Sequence, residues 1–209
     1  MNNEQLPMKT EEQPKSGAAS LIFDIIEMFA WSLFAVFLIF TFAFRLCQVD
    51  GSSMENTLYE KENLVVYSLN YTPKQDDIIV FHMTNSDVYL EKTLVKRVIA
   101  TGGQTLFIDF NTNEIMVDGV KYADSHAVLK NIATNEITGI YNSALNLQSP
   151  YYSRETNTLS LIVPENHLFV LGDNRNNSKD SRSPDILFVD ERCVLGKVVL
   201  RISPFTVFS

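Results

Sequence analysis

The sequence predicts a mainly β protein behind a single N-terminal transmembrane helix, and three observations carry the prediction. One long apolar segment near the N-terminus is free of charge, short β-rich runs fill the rest, and those runs lack helical periodicity. The chain has 209 residues, enough for one domain with a real core or two small lobes sharing one. Hydrophobic residues make up 45% and charged residues 20%, a globular balance. A formal charge of -8 with no Lys/Arg-rich run argues against nucleic acid as a partner. The two cysteines, Cys47 and Cys193, make no disulfide framework. The histidines His82, His126 and His167 are scattered without metal-ligand spacing, so neither a metal nor a cofactor is expected.

Residues 1–20 are polar, with prolines and charges of both signs, and read as a disordered tail. Seventeen uncharged residues, MFAWSLFAVFLIFTFAF, then lie between Glu27 and Arg45. Leu21, Ile22, Phe23, Ile25, Ile26 and Leu46 extend this segment to bilayer length, predicting a transmembrane helix over 21–46. A cleaved leader would start basic and end in small residues. This segment begins with Asp24 and Glu27 and ends Phe44-Arg45-Leu46-Cys47. Lys9 and Lys15 on one side balance Arg45 and Lys61 on the other, so charge alone leaves the orientation open.

From 47 onward eight runs read as strands: 63–67, 77–81, 93–100, 106–110, 114–117, 159–163, 167–171 and 196–202. Turns separate them, among them Tyr71-Thr72-Pro73, Thr101-Gly102-Gly103 and Pro164-Glu165-Asn166. Asp118-Gly119 is a hairpin signal. Residues 47–209 are thus read as one β-rich domain, with about 105–160 set off as a smaller inserted lobe. Within that lobe 123–158 is polar and irregular.

Three stretches hold reactive side chains beside turns: Val49–Leu58, Leu94–Ile99 and Gly172–Arg182. Lys96 alternates with Val95 and Arg97 and shares a strand face with Leu94 and Val98. A lysine there either snorkels to the sheet edge or is desolvated, which would lower its pKa and free an amine to take a serine proton. Ser53 in Gly51-Ser52-Ser53, taken alone, reads as a turn serine. In the third stretch Asp173 and Asp180 alternate with Arg175, Lys179 and Arg182, a pattern of internal ion pairs rather than metal ligation.

Together and in this order, these stretches resemble the boxes of bacterial type I signal peptidases. Gly51-Ser52-Ser53-Met54-Glu55-Asn56-Thr57-Leu58 is similar to the nucleophile box and Asp77–Phe81 to the strand box after it. Lys96-Arg97-Val98-Ile99 is similar to the general-base box, and Val163–Arg182 to the last and longest. The resemblance runs from about residue 21 to the C-terminus and is thin over 123–158. It implies a signal-peptidase-like fold in which Ser53 is the nucleophile and Lys96 the general base. Ser178 would orient the lysine amine, and Asp180, Arg97 and Arg182 would support the loop. Gly51 and Met54 are expected at the substrate, and Met54 and Leu58 are read as lipid, substrate or core contacts.

The partners implied are signal-peptide-bearing preproteins and the lipid bilayer. The tail would be cytoplasmic and the catalytic domain extracytoplasmic, close to the membrane. Oligomeric state is open, with a monomer presumed. Asn56 departs from the family's proline, and Gly51 stands where some members carry an oxyanion-hole serine. The Ser53 backbone N–H is then the expected donor, with Ser52 one position off. Two other readings remain open: a catalytically silent relative serving as an assembly factor, and an anchored β-domain that only binds peptides.

Overall fold

The structure is a computed structural model and describes residues 17–85, 90–127, 151–175, 177–183 and 186–208. The expected disordered tail therefore lies outside the described residues up to 16, as does 128–150 of the polar stretch. Two compact units result, Met1–Thr41 and Phe42–Ser209.

The apolar segment forms one helix, α1 (Gly17–Ala43, 27 residues), about 40 Å long at 1.5 Å per residue. It is long and apolar enough to cross a membrane, and its large side chains, such as Phe23 and Phe42, are exposed. Its bounds correct the expected 21–46 at both ends. Residues 17–20 belong to the helix rather than to the tail. Phe44–Leu46 leave it because they find a strand partner, β1 (Phe44–Gln48) pairing antiparallel with β2 (Asn63–Tyr67). The ladder carries Phe44 opposite Tyr67, with the rings 5.5 Å apart, and supplies backbone partners that another helical turn would otherwise have made.

The second unit is built of antiparallel sheets. Its further strands are β3 (Ile78–Asn85), β4 (Leu90–Thr101), β5 (Thr105–Asp109), β6 (Glu114–Val117), β7 (Val120–Lys121), β8 (Tyr152–Ser153), β9 (Thr158–Ile162) and β10 (His167–Leu171). β11 (Val189–Asp190), β12 (Val194–Arg201) and β13 (Thr206–Val207) complete the set. Among the described residues the first sheet runs β1-β2-β12-β3-β4-β10-β11, with β13 beside β12, and the second runs β7-β6-β5-β9-β8.

Strand alternation explains how the core divides. In β3, Ile78 and Val80 face one cluster with Met54, Leu58, Leu64 and Val66, while Ile79 and Phe81 face another with Val98, Leu168 and Val170. A third cluster joins the sheets, packing Leu106, Ile108, Ile115 and Leu159 of the second against Ile99, Phe169 and Leu171 of the first.

β4 positions the chemistry. It pairs with β3 over Leu90–Arg97, and β10 covers its other edge only over Arg97–Thr101. Toward Leu90–Lys96 that edge carries no strand among the described residues.

Candidate active site

Lys96 sits opposite Ile79 in the β3–β4 register, and both are buried at 2% and 0% exposure. Snorkelling is thereby ruled out. The amine lies 2.6 Å from Ser53 Oγ and 2.9 Å from the Val95 carbonyl. Among the described residues no carboxylate pairs with it. Burial drives its pKa down from 10.5 to about 8; the fields of Asp180 and Asp173 oppose the drop and that of Arg182 adds to it. The neutral amine can take the Ser53 proton while an N–H donates to Val95.

Ser53 is fixed by its backbone. Gly51 at φ 90° turns the chain out of β1. The polar loop after β10 then grips the Ser53 segment: Asn174 N–H donates to the Ser53 carbonyl (3.1 Å) and its side-chain amide to that of Ser52 (3.1 Å). Gly172 allows this approach, because a Cβ there would come within 2.5 Å of the Ser53 carbonyl and 2.2 Å of Ser178 Oγ. Ser52 Oγ accepts from Asn177 (2.8 Å), so that hydroxyl is held by the loop. Asn56 adopts φ 88°, where proline, confined near −65°, does not fit. The turn it makes closes through Thr57 N–H to the Met54 carbonyl at 3.0 Å.

The sequence-predicted residues converge with two differences of partner. Arg182 pairs with Asp180 through Nε (2.7 Å) and Nη2 (2.8 Å), both side chains buried. Burial works against the Asp180 charge, but Arg182 and the Gly172 N–H (3.0 Å) outweigh it and hold the pKa below the ordinary value. Arg97 instead takes Asp173, with Nε to Oδ1 at 2.9 Å and Nη2 to Oδ2 at 2.8 Å, while Nη1 donates to the Asp76 carbonyl at 2.8 Å. Of the pairs seen for Asp173, Arg175, Asp180 and Arg182, Asp180–Arg182 lies within the loop. Asp173 reaches back to β4, and Arg175 reaches Asp124.

Ser178 is buried at 8% exposure, and its hydroxyl has no hydrogen-bond partner among the described residues. It stands near the Asp180 carboxylate, whose charge it favours, rather than bonded to it. It does not donate to or accept from the Lys96 amine, whose partners are Ser53 and Val95.

A cleft of about 510 Å³ opens beside the dyad, lined by Cys47–Gly51, Ser53, Met54, Val80 and Thr93–Lys96. Gly51 is at its rim. Met54, at 1% exposure, is a core residue forming part of the floor. Leu58 is fully buried, which removes it as a lipid or substrate contact. Asp173, Asn174 and Gly172 hold the site together without having been singled out as site residues. Only the dense polar composition of 172–182 pointed to them.

The family model described as signal peptidase, peptidase S26, matches residues 22–203. Signal peptidase IB of Staphylococcus aureus is 31% identical over 166 residues, covering 77% of this chain and 78% of that protein. Signal peptidase I P of Bacillus subtilis subsp. natto is 32% identical over 167 residues, covering 78% and 80%. A solved signal peptidase I from Enterococcus faecalis is 26% identical, with a TM-score of 0.39, covering 61% of this chain and 97% of that one. With a match over most of its length, the chain belongs to the signal peptidase family, peptidase S26, and is a serine hydrolase of that type.

Proposed function

We propose that the chain removes signal peptides from exported preproteins through a Ser53/Lys96 dyad, cleaving after small residues while anchored in the membrane by α1. The observation that carries this reading is the 2.6 Å approach to Ser53 Oγ of a buried lysine amine that has no carboxylate partner among the described residues. Ser53 Oγ attacks the scissile carbonyl as its proton passes to Lys96 Nζ. The tetrahedral intermediate then collapses, and the ammonium protonates the leaving amine. Lys96, neutral again, takes a proton from water; the hydroxide displaces Ser53 from the acyl-enzyme, and the proton returns to the serine.

The Ser53 backbone N–H is the donor assigned to the oxyanion. Ser178, which does not bond the amine in this structure, is assigned to orient it during the reaction, supported by a buried hydroxyl beside Gly172 that has no hydrogen-bond partner among the described residues. Asp180–Arg182 and Arg97–Asp173 brace the loop. The uncovered edge of β4 over Thr93–Val95 suits an extended substrate added as a strand, with its side chains in the cleft. The length and apolar character of α1 support the anchor, with the preceding tail cytoplasmic and the catalytic unit outside.

The test is cleavage of a preprotein by the detergent-solubilised chain, beside Ser53→Ala and Lys96→Ala. Cleavage after a small residue, lost in both variants, is expected. Retention in either variant removes that residue from the mechanism, and no cleavage by the parent chain favours a silent assembly factor.

A further inference from the structure

Residues 122–126 leave β7 of the second sheet as an irregular stretch that turns at 125–126, where the Ser125 N–H donates to the Ala123 carbonyl (2.8 Å). Ala123, Ser125 and His126 are exposed, yet Tyr122 and Asp124 through their side chains and His126 through its carbonyl each reach a different segment of the site. The Tyr122 hydroxyl donates to the Asp76 carboxylate, and its ring is buried in the cluster between the sheets. Asp76 in turn bears on β4 just beyond the lysine, because its carbonyl accepts from Arg97 (2.8 Å) and its N–H donates to the Val98 carbonyl (2.9 Å).

Asp124 takes both terminal nitrogens of Arg175, Nη2 at 2.7 Å, and Arg175 Nε donates to the Gly172 carbonyl (3.0 Å). The guanidinium is 3% exposed and the Asp124 carboxylate 17%. That pair therefore holds the loop that grips the Ser53 carbonyl through Asn174. The third contact reaches the nucleophile turn, where Asn56 Nδ2 donates to the His126 carbonyl at 3.2 Å. Asn56 stands at φ 88°, a left-handed conformation that asparagine tolerates better than most residues. Its side chain ties this turn to 122–126.

We propose that Tyr122–His126 is a positioning strap, in which Asp124 and Asn56 act through other residues to set the distance between Ser53 and the Lys96 amine. This rests on the dyad reading above. The strap reaches β4 through Asp76, and the polar loop and the nucleophile turn directly, so loosening it misplaces Ser53 against Lys96 while the cleft, formed by other residues, keeps its shape. The signature is a fall in kcat without a matching rise in KM.

The experiment measures steady-state preprotein cleavage by the full detergent-solubilised chain and by Asp124→Ala, Asp124→Glu, Asn56→Asp and Lys121→Ala, with melting curves for each. Asp124→Ala should lose about tenfold or more in kcat with KM within about twofold, as expected for a small misplacement of reacting groups. Asp124→Glu, which keeps the charge, should recover most of that loss. Asn56→Asp keeps a residue tolerant of positive φ but removes the donor, and should lose several-fold in kcat while melting like the parent. Lys121→Ala cuts an exposed ion pair to Glu114 just before the strap and should cleave normally.

A folded Asp124→Ala or Asn56→Asp with parental kcat overturns the proposal, as does a loss confined to KM. If Asp124→Ala does not fold, Asn56→Asp decides on its own. A parent chain that fails to cleave overturns the dyad reading and the strap with it. A cleaving parent with indifferent strap variants overturns the strap alone.

Discussion

Lys96 and Arg97 stand side by side in β4 at 2% and 4% exposure, two buried cations one residue apart. Their surroundings differ completely. Arg97 meets a bidentate carboxylate in Asp173 and a backbone carbonyl from Asp76, so its charge is fully answered. Lys96 meets a hydroxyl and a carbonyl and, among the described residues, no carboxylate, and its pKa falls to about 8. On the proposed dyad mechanism, geometry decides which cation braces and which reacts. A planar guanidinium fixes a loop through paired bonds, whereas a compact ammonium stripped of water gives up its proton. Burial alone does not mark a reactive residue. Burial without a counter-charge does.

The largest effect that sharpens this contrast is Lys96→Arg. It preserves a cation but cannot supply a neutral amine, and cleavage should fall by about 10⁴-fold or more, as losses of dyad members do. Measurable turnover at the parental rate would show that charge, not a base, is what the position supplies.

Arg97→Met leaves Asp173 buried and unpaired, and the melting transition should register a destabilisation of about 3–5 kcal/mol. An unchanged melting temperature would break the comparison from the structural side.

Lys96→Met works in the opposite direction. Lowering the pKa from 10.5 to about 8 corresponds to about 3 kcal/mol by which the folded state disfavours the ammonium. Replacing the lysine with an apolar side chain should therefore stabilise the inactive protein near neutrality by up to that amount.

The same linkage fixes a pH window. Below about 8 both states hold the proton and the penalty is fully present. Between about 8 and 10.5 only the unfolded chain keeps it, so this residue's contribution to stability rises with pH and levels off above. Comparing the melting of the parent and Lys96→Met across that window isolates the contribution, and parallel curves would refute it.

The smallest effect belongs to Ser178→Ala. Its hydroxyl does not bond the amine in this structure; the proposed orienting role has it do so during the reaction, and a several-fold loss in kcat is then expected, of the order of one neutral hydrogen bond. An unchanged rate would remove the orienting role.

Much of this was legible along the chain, because alternation and turn chemistry are local. The runs 63–67, 114–117 and 167–171 are strands with the expected bounds, and a lysine between Val95 and Val98 announced itself. Phe44–Gln48 was not, since it continues the apolar helix without a breaker and becomes a strand only by meeting Asn63–Tyr67. The two-residue strands β7, β8, β11 and β13 are too short for any period to show. Partner choice was also hidden. Asp173 finds Arg97 across 76 residues and Asp124 finds Arg175 across 51, distances that only the packed sheets bring together. The left-handed Asn56 looked like a lost proline, whereas it occupies a conformation proline cannot enter.

The most direct test of the central claim is the pH dependence of kcat/KM for preprotein cleavage by the intact chain. A neutral Lys96 acting as base requires a rise through mildly alkaline pH with a midpoint near 8. A profile that stays flat from pH 6 to 10 would contradict it.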